Sequence, residues 1–273
     1  MPEINAFLSA LLSRSPLWAI RPEALQQAML KAVSNPTGQQ VAKLSVAGTD
    51  RSRVVTIPIE GVLTKDGPSW YGSNYDTLAR QVETAAKDPS VRRIVLSVDS
   101  PGGEVIGLPE TASVIARARQ TKPVDAVVTG QAASAAYWLA SQASSIALTP
   151  SGEVGSIGVR MAHTDISQML DKAGVKITEL YSGDFKTEWS PFKPLSEDAR
   201  DAMQPRLEAM HNEFLGAVAS GRGTRAAALQ AQRFGEGRMF SAPEALKHGL
   251  VDSVLAPADY YRGILPPAVR TAS

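Results

Sequence analysis

Arg93-Ile94-Val95-Leu96-Ser97-Val98-Asp99-Ser100-Pro101-Gly102-Gly103 is the stretch on which the fold turns. Ile94 to Val98 is a short apolar run that reads as a buried strand, and the Pro-Gly-Gly after it marks a turn. A helical pattern over 105–121 follows, and Val124 to Thr129 repeats the strand signal. Upstream, 53–60 reads as a strand that leaves at Gly61, and 74–87 as a helix. Downstream come an Ala-rich helix over 133–142, a strand over 145–149, a helix over 165–173 and a strand over 175–181. Strands alternating with helices at this spacing predict an α/β fold with mostly parallel strands and flanking helices.

The ends differ from this middle. Residues 4–12 place Ile4, Phe7, Leu8, Leu11 and Leu12 on one face at helical spacing. A second helical pattern covers 22–33, opened by Pro22, and 35–53 reads as a polar linker. Near the other end, Ser196-Glu197-Asp198 supplies an N-cap and acidic first turn for a long helix over 196–220. Shorter helices are expected over 224–232 and 242–248, then a closing strand over 250–255. The chain thus divides into an N-terminal helical segment and linker (1–52), a main domain (53–256) and a loosely ordered tail (257–273).

Composition narrows the chemistry. The 273 residues carry 28 Lys+Arg against 27 Asp+Glu, a net charge of +1, which gives no general reason to expect a nucleic-acid or acidic-membrane partner. No cysteine is present, so thiol nucleophiles, disulfides and thiolate-bound metals are excluded. The three histidines, 163, 211 and 248, fit no ligand spacing, and neither a metal nor a cofactor is expected. No run reaches the roughly 18 apolar residues of a membrane span. Chemistry is left to oxygen, lysine and the backbone.

Three segments place small residues just after an apolar strand. Gly102 and Gly103 allow backbone N–H groups to approach a ligand as in an oxyanion hole, or simply make a turn. Ser134, within Gly130-Gln-Ala-Ala-Ser-Ala-Ala-Tyr-Trp138, suits either a nucleophile at a strand-to-helix turn or an ordinary N-cap. Lys186 lies between Phe185 and Trp189, which would desolvate a general base or merely support a surface lysine over aromatic rings.

Taken in order, Ser-Pro-Gly-Gly at 100–103, Ala-Ser-Ala-Ala-Tyr at 133–137, Val-Gly-Ser-Ile-Gly-Val at 154–159, Ser-Gly-Asp-Phe-Lys at 182–186 and Ser190-Pro191 resemble the signature of the S49 peptidases. That signal peptide peptidase A family includes the phage head-maturation proteases. The resemblance implies a ClpP/crotonase-like fold and a serine–lysine dyad. It makes Ser134 the nucleophile, Lys186 the general base and Ser156 the residue orienting that lysine. Gly103, with Gly102 beside it and Ala135 as a second donor, is implied as the oxyanion hole. One departure is Ala135-Ala136 where relatives usually carry Gly-Gly. A ClpP-type triad through His163 is the rival on the same fold.

The segment around Ser15-Pro16-Leu17-Trp18-Ala19-Ile20 resembles the leader of phage and prophage members that digest scaffold and trim capsid components. The resemblance therefore implies a protein or peptide substrate, such as scaffold or capsid protein, with assembly into a homo-oligomer. It places the chain in the bacterial cytoplasm or a phage prohead, without nucleic acid or membrane span. The alternatives are a soluble signal-peptide-peptidase-like protease that degrades peptide remnants, and a non-catalytic capsid protein; a hydratase-like crotonase would instead need a pocket carboxylate.

Overall fold

The computed structural model describes residues 17–20, 44–47, 53–65, 72–223 and 233–265. Helices expected over 4–12, 22–33 and 224–232 lie outside the described residues. The central strands are β3 (Arg53–Leu63), β4 (Val91–Glu104), β5 (Val124–Ala133) and β6 (Ser145–Leu148). Each is parallel to the next, and β10 (Ser253–Val254) extends the row beside β6. The α/β expectation holds, and its parallel strands are buried runs because helices cover them.

The helices form where their local signals stand. In α1 (Tyr75–Lys87) the Asn74 side chain accepts from the Thr77 N–H at 3.0 Å, and Leu78, Val82 and Ala85 fall on one buried face. The following helix, α2 (Leu108–Thr121), starts after Gly107 in a left-handed conformation (φ 89°) with Pro109 in its first turn. Next, α3 (Ala135–Ser141) is buried along its whole length. After α4 (Ser167–Lys172), the long α5 (Glu197–Arg222) opens with Ser196 accepting from the Ala199 N–H at 3.2 Å. Phe214 of α5 stacks on Trp138 of α3 with ring centroids 4.7 Å apart, which ties the long helix to the core. No described helix is long and apolar enough to cross a membrane.

Both long strands change partners near their ends. β5 pairs with β6 through Val128, then from Gln131 with β7 (Glu153–Gly155), which is flanked on its other side by β9 (Met239–Ser241). The β4–β5 register shifts between Val98 and Ser100, and the β3–β4 register between Glu60 and Val62. Such irregularities bend strands and re-aim the residues beyond the bend. They separate the structural half of the sheet from the half that carries Gly102, Gly103 and Ser134.

Three expectations are corrected. Residues 17–20 and 45–47, read as leader and linker, are strands β1 (Leu17–Ile20) and β2 (Ser45–Ala47) of the same sheet. Short segments with no strong periodicity of their own take strand form where an edge offers unpaired backbone groups. The helix expected over 242–248 and the closing strand expected over 250–255 form as α6 (Ala242–Lys247) and β10, but the start of the tail, expected to be loose, forms α7 (Pro257–Ile264). Tyr260, Tyr261, Ile264 and Leu265 pack on Val54, Val95 and Val127 of the sheet face opposite the main core. The Tyr260 hydroxyl also donates to Asp125, which pairs with Arg93. Leaving those valines bare would expose apolar surface, so covering them orders the tail.

The third correction is the strand expected over 175–181. These residues have no strand form and are exposed, Leu180 at 94% and Tyr181 at 59%. A strand needs a neighbour for its N–H and C=O groups, and no described strand pairs with this stretch. The arm from 162 to 196 is held chiefly by its own bonds. Ile166 N–H donates to Pro191 O at 2.8 Å and Ser190 Oγ to Glu179 Oε2 at 2.7 Å.

Candidate active site

Ser134 follows the last residue of β5 and caps α3 with φ 54° and ψ −121°, a conformation that suits glycine. Its N–H donates to the Gly155 carbonyl at 2.7 Å, and its Oγ lies 3.5 Å from the Gly158 carbonyl. The residue is 1% exposed. This backbone hydrogen bond and the β5–β7 pairing hold a strained turn that the serine would not adopt alone.

Ser156 stands beside it for a topological reason. Ala133 of β5 is aligned with Gly155 of β7, so Ser134 and Ser156 leave the two strands at the same level. Ser156 has the same unusual φ of 54°, fixed by its N–H donating to the Arg238 carbonyl at 2.7 Å. Two non-glycine residues with matching left-handed φ at adjacent strand ends mark a constrained site.

One strand over, the end of β4 presents Gly102 and Gly103. A side chain at Gly103 would place its first carbon 1.8 Å from the Leu63 carbonyl oxygen, so only glycine fits there. Gly102 has φ 99°, and its N–H already donates to Ser100 Oγ at 3.2 Å. Ser100 in turn donates to Gly61 O at 2.7 Å, which pins the turn to β3. Ala135 is the first residue of α3, where amide groups lack intrahelical acceptors.

Lys186 is elsewhere in character. It sits on an exposed turn of the arm, where its N–H donates to Gly183 O at 3.1 Å and neighbouring Phe185 is 76% exposed. No hydrogen bond joins Lys186 to Ser134, one exposed and the other buried. Trp189, by contrast, turns inward within the arm: its ring meets His163 edge-on at 5.8 Å, while its buried Nε1 has no partner among the described residues. His163 Nε2 lies 3.0 Å from the Ser190 carbonyl, so the imidazole of the rival triad is engaged inside the arm instead of at Ser134.

Of the remaining histidines, His211 is half-buried. Its Nδ1 lies 3.0 Å from Arg233 Nη2, and burial together with that cation lowers its pKa. Among the described residues no cluster of His, Asp and Glu could hold a metal.

The Ser134 backbone makes a first prediction. Replacing Ser134 by glycine removes the side chain from a strained φ/ψ and should raise stability by about 1–3 kcal/mol. Ser134→Ala keeps the strain and should not gain. Thermal melts of the two variants decide this, and equal melting temperatures would mean that the turn stores no strain.

A serine held at a sharp strand-to-helix junction, beside a glycine edge able to face a carbonyl oxygen, is the layout of a hydrolase site. The chain belongs to peptidase family S49, whose family model matches residues 116–262. It is 35% identical over 220 residues to capsid assembly protease C of Escherichia phage lambda, covering 80% of this chain and 47% of that protein. It is likewise 35% identical over 187 residues to the head-tail preconnector protein GP5 of Enterobacteria phage P21 (68% of this chain, 37% of that protein). Protease 4 of Salmonella typhi matches at 33% over 180 residues (66% and 29%). The chain thus spans about half or less of these relatives. Among solved structures, a membrane-bound stomatin-specific protease in complex with a substrate peptide overlays with TM-score 0.48 and 17% identity, covering 83% of this chain and 87% of that one. An enoyl-CoA hydratase/isomerase family member gives 0.47 and 16%, covering 81% and 73%.

Pro16 and Pro22 bracket the five residues from Leu17 to Arg21, a spacing suited to a short strand.

Proposed function

We propose that the chain is a serine endopeptidase with Ser134 as nucleophile and Lys186 as general base, acting on proteins of phage capsid assembly. The observation that carries this reading is the strained, buried Ser134 aligned with Ser156 at the ends of β5 and β7. The capsid-assembly context rests on the phage lambda relative, which matches 80% of the chain.

In the proposed reaction, Ser134 Oγ attacks the scissile carbonyl carbon as its proton passes to the neutral Lys186 amine. The oxyanion takes hydrogen bonds from the N–H groups of Gly103 and Ala135, and Gly102 turns the chain that presents Gly103. Collapse of the tetrahedral species breaks the C–N bond, and the leaving amine receives the proton from the Lys186 ammonium. Water then attacks the acyl-enzyme with Lys186 again as base. Ser156 orients the lysine.

A lysine base needs desolvation, which an exposed turn does not supply. The apolar side chains around it, Leu180, Tyr181 and Phe185, are also exposed. A second copy of the chain that covers this arm removes both exposures and brings Lys186 to a Ser134, so the active species is a homo-oligomer. A fluorophosphonate probe should label the wild type at Ser134 and leave Ser134→Ala unlabelled. Equal labelling of the two would end the assignment of Ser134.

A further inference from the structure

We infer that Leu17–Ile20 is a built-in occupant of the peptide-binding groove, a strand of the chain itself that must leave before a substrate can dock. The inference rests on the peptidase reading of the Ser134 site and says what regulates it.

The register carries the inference. β1 lies antiparallel to the end of β4, with Trp18 aligned to Glu104, Ala19 to Gly103 and Ile20 to Gly102. Gly103, whose N–H meets the oxyanion in the proposed reaction, and Gly102, which turns the chain that presents it, are therefore both paired to β1. On its other edge β1 runs antiparallel to β8 (Arg160–Met161), with Trp18 aligned to Arg160 and Leu17 to Met161. Among the described residues β8 pairs with β1 alone. Without β1, the end of β4 and β8 would face each other across a slot one strand wide, about 9–10 Å between their axes.

Such a slot, with hydrogen-bonding backbone on both walls, captures an extended peptide by strand addition. β8 is joined to Ser156 and Gly158 by only a few residues, and β4 ends at Gly103 and Glu104. The slot therefore adjoins the serine pair. Its present strand has the sequence Leu-Trp-Ala-Ile, uncharged and free of proline, between Pro16 and Pro22. Prolines cannot donate to a ladder, and β1 itself is four residues long, with three aligned to β4 and two to β8. Its strand partners are the backbone edges of β4 and β8. A segment tethered in the same chain competes at an effective concentration on the order of millimolar, enough to exclude dilute substrates and to yield to a tethered or abundant one. The ligand class that the slot takes is an extended, uncharged peptide, and the same edges serve occupant and substrate in turn.

The test uses the full chain with Ser134→Ala, so that nothing is hydrolysed. Because the protein has no cysteine, Trp18→Cys with Arg160→Cys creates its only two thiols. Directly opposed residues on antiparallel strands lie within disulfide reach. The probe is a fluorescein-labelled synthetic peptide carrying residues 15–22, read by anisotropy. Oxidation should lock the occupant and weaken probe binding at least tenfold, and reduction should restore it. Ala19→Pro, which removes a strand N–H, should bind the probe at least tenfold more tightly than the unaltered chain. Thiols that stay free under oxidant, equal affinity in both redox states, or no binding in any form would overturn the inference. These readings need no catalysis, so loss of the serine–lysine chemistry would leave them interpretable. Conversely, a chain that is an active peptidase yet binds the probe equally in both redox states keeps the proposed function and loses the occupant.

Discussion

Lys186→Ala and Ser134→Ala should each abolish hydrolysis of a peptide substrate, with kcat falling by about 10⁴-fold or more and the fold retained. The two losses should not add, because nucleophile and base act in one proton transfer and either alone is idle. Folding should survive both changes. Ser134→Ala keeps the Cβ in its existing turn, and the Lys186 side chain contributes no buried contact in the exposed arm. The decisive measurement mixes the two inactive proteins, refolded or exchanged together. If Lys186 of one copy serves Ser134 of another, random mixing in an oligomer should restore about a quarter of the wild-type sites, since half the chains carry each intact partner. Activity from both single variants near the wild-type value would sink the dyad. A mixture as dead as its components, with the oligomer intact, would mean that each copy serves its own serine.

Arg222→Ala should produce the largest loss of stability, about 3–5 kcal/mol. Arg222 closes α5, and its side chain is 0% exposed. It donates to both Asp252 oxygens at 2.9 Å and to the Gly249 carbonyl at 3.1 and 3.2 Å. Asp252 Oδ2 also accepts from the Ile146 N–H at 2.8 Å, so the pair joins the end of α5 to β6 and the chain ahead of β10. Removing the guanidinium takes a bidentate partner from Asp252 and both side-chain donors from the Gly249 carbonyl. Arg222→Lys should recover only part of the loss, because an ammonium cannot make the bidentate contact. Arg222→Met with Asp252→Leu should melt closer to wild type than Arg222→Ala, since neither charge is then stranded. Thermal melts of the three variants test the order, and an Arg222→Ala protein within about 1 kcal/mol of wild type would mean that the pair is not structural.

Much of the central fold was legible because its signals are local. The apolar run at 94–98, the glycines after it and the Asn74 and Ser196 caps each act on residues within a turn of themselves, and the strands and helices stand where those signals put them. The boundaries moved where tertiary pairing extended an element, as β5 runs on to Ala133 to meet β7. The strand expected over 175–181 failed for the converse reason: its composition suits a strand, but no described strand pairs with it.

The candidate site divides along the same line. Sequence by itself determined that chemistry must come from oxygen, lysine and backbone, and that Ser134 and the Gly102–Gly103 pair follow apolar strands, because composition and turn residues are properties of short segments. Only the tertiary structure decided that Ser134 and Ser156 stand side by side, that Gly103 tolerates no side chain and that α7 closes the second face of the sheet. It also decided that Lys186 rests on an exposed arm and that Leu17–Ile20 lies along the glycine edge. Each of these depends on which backbone edges and apolar faces remain unpartnered once the core has formed, and no residue's sequence neighbours carry that information.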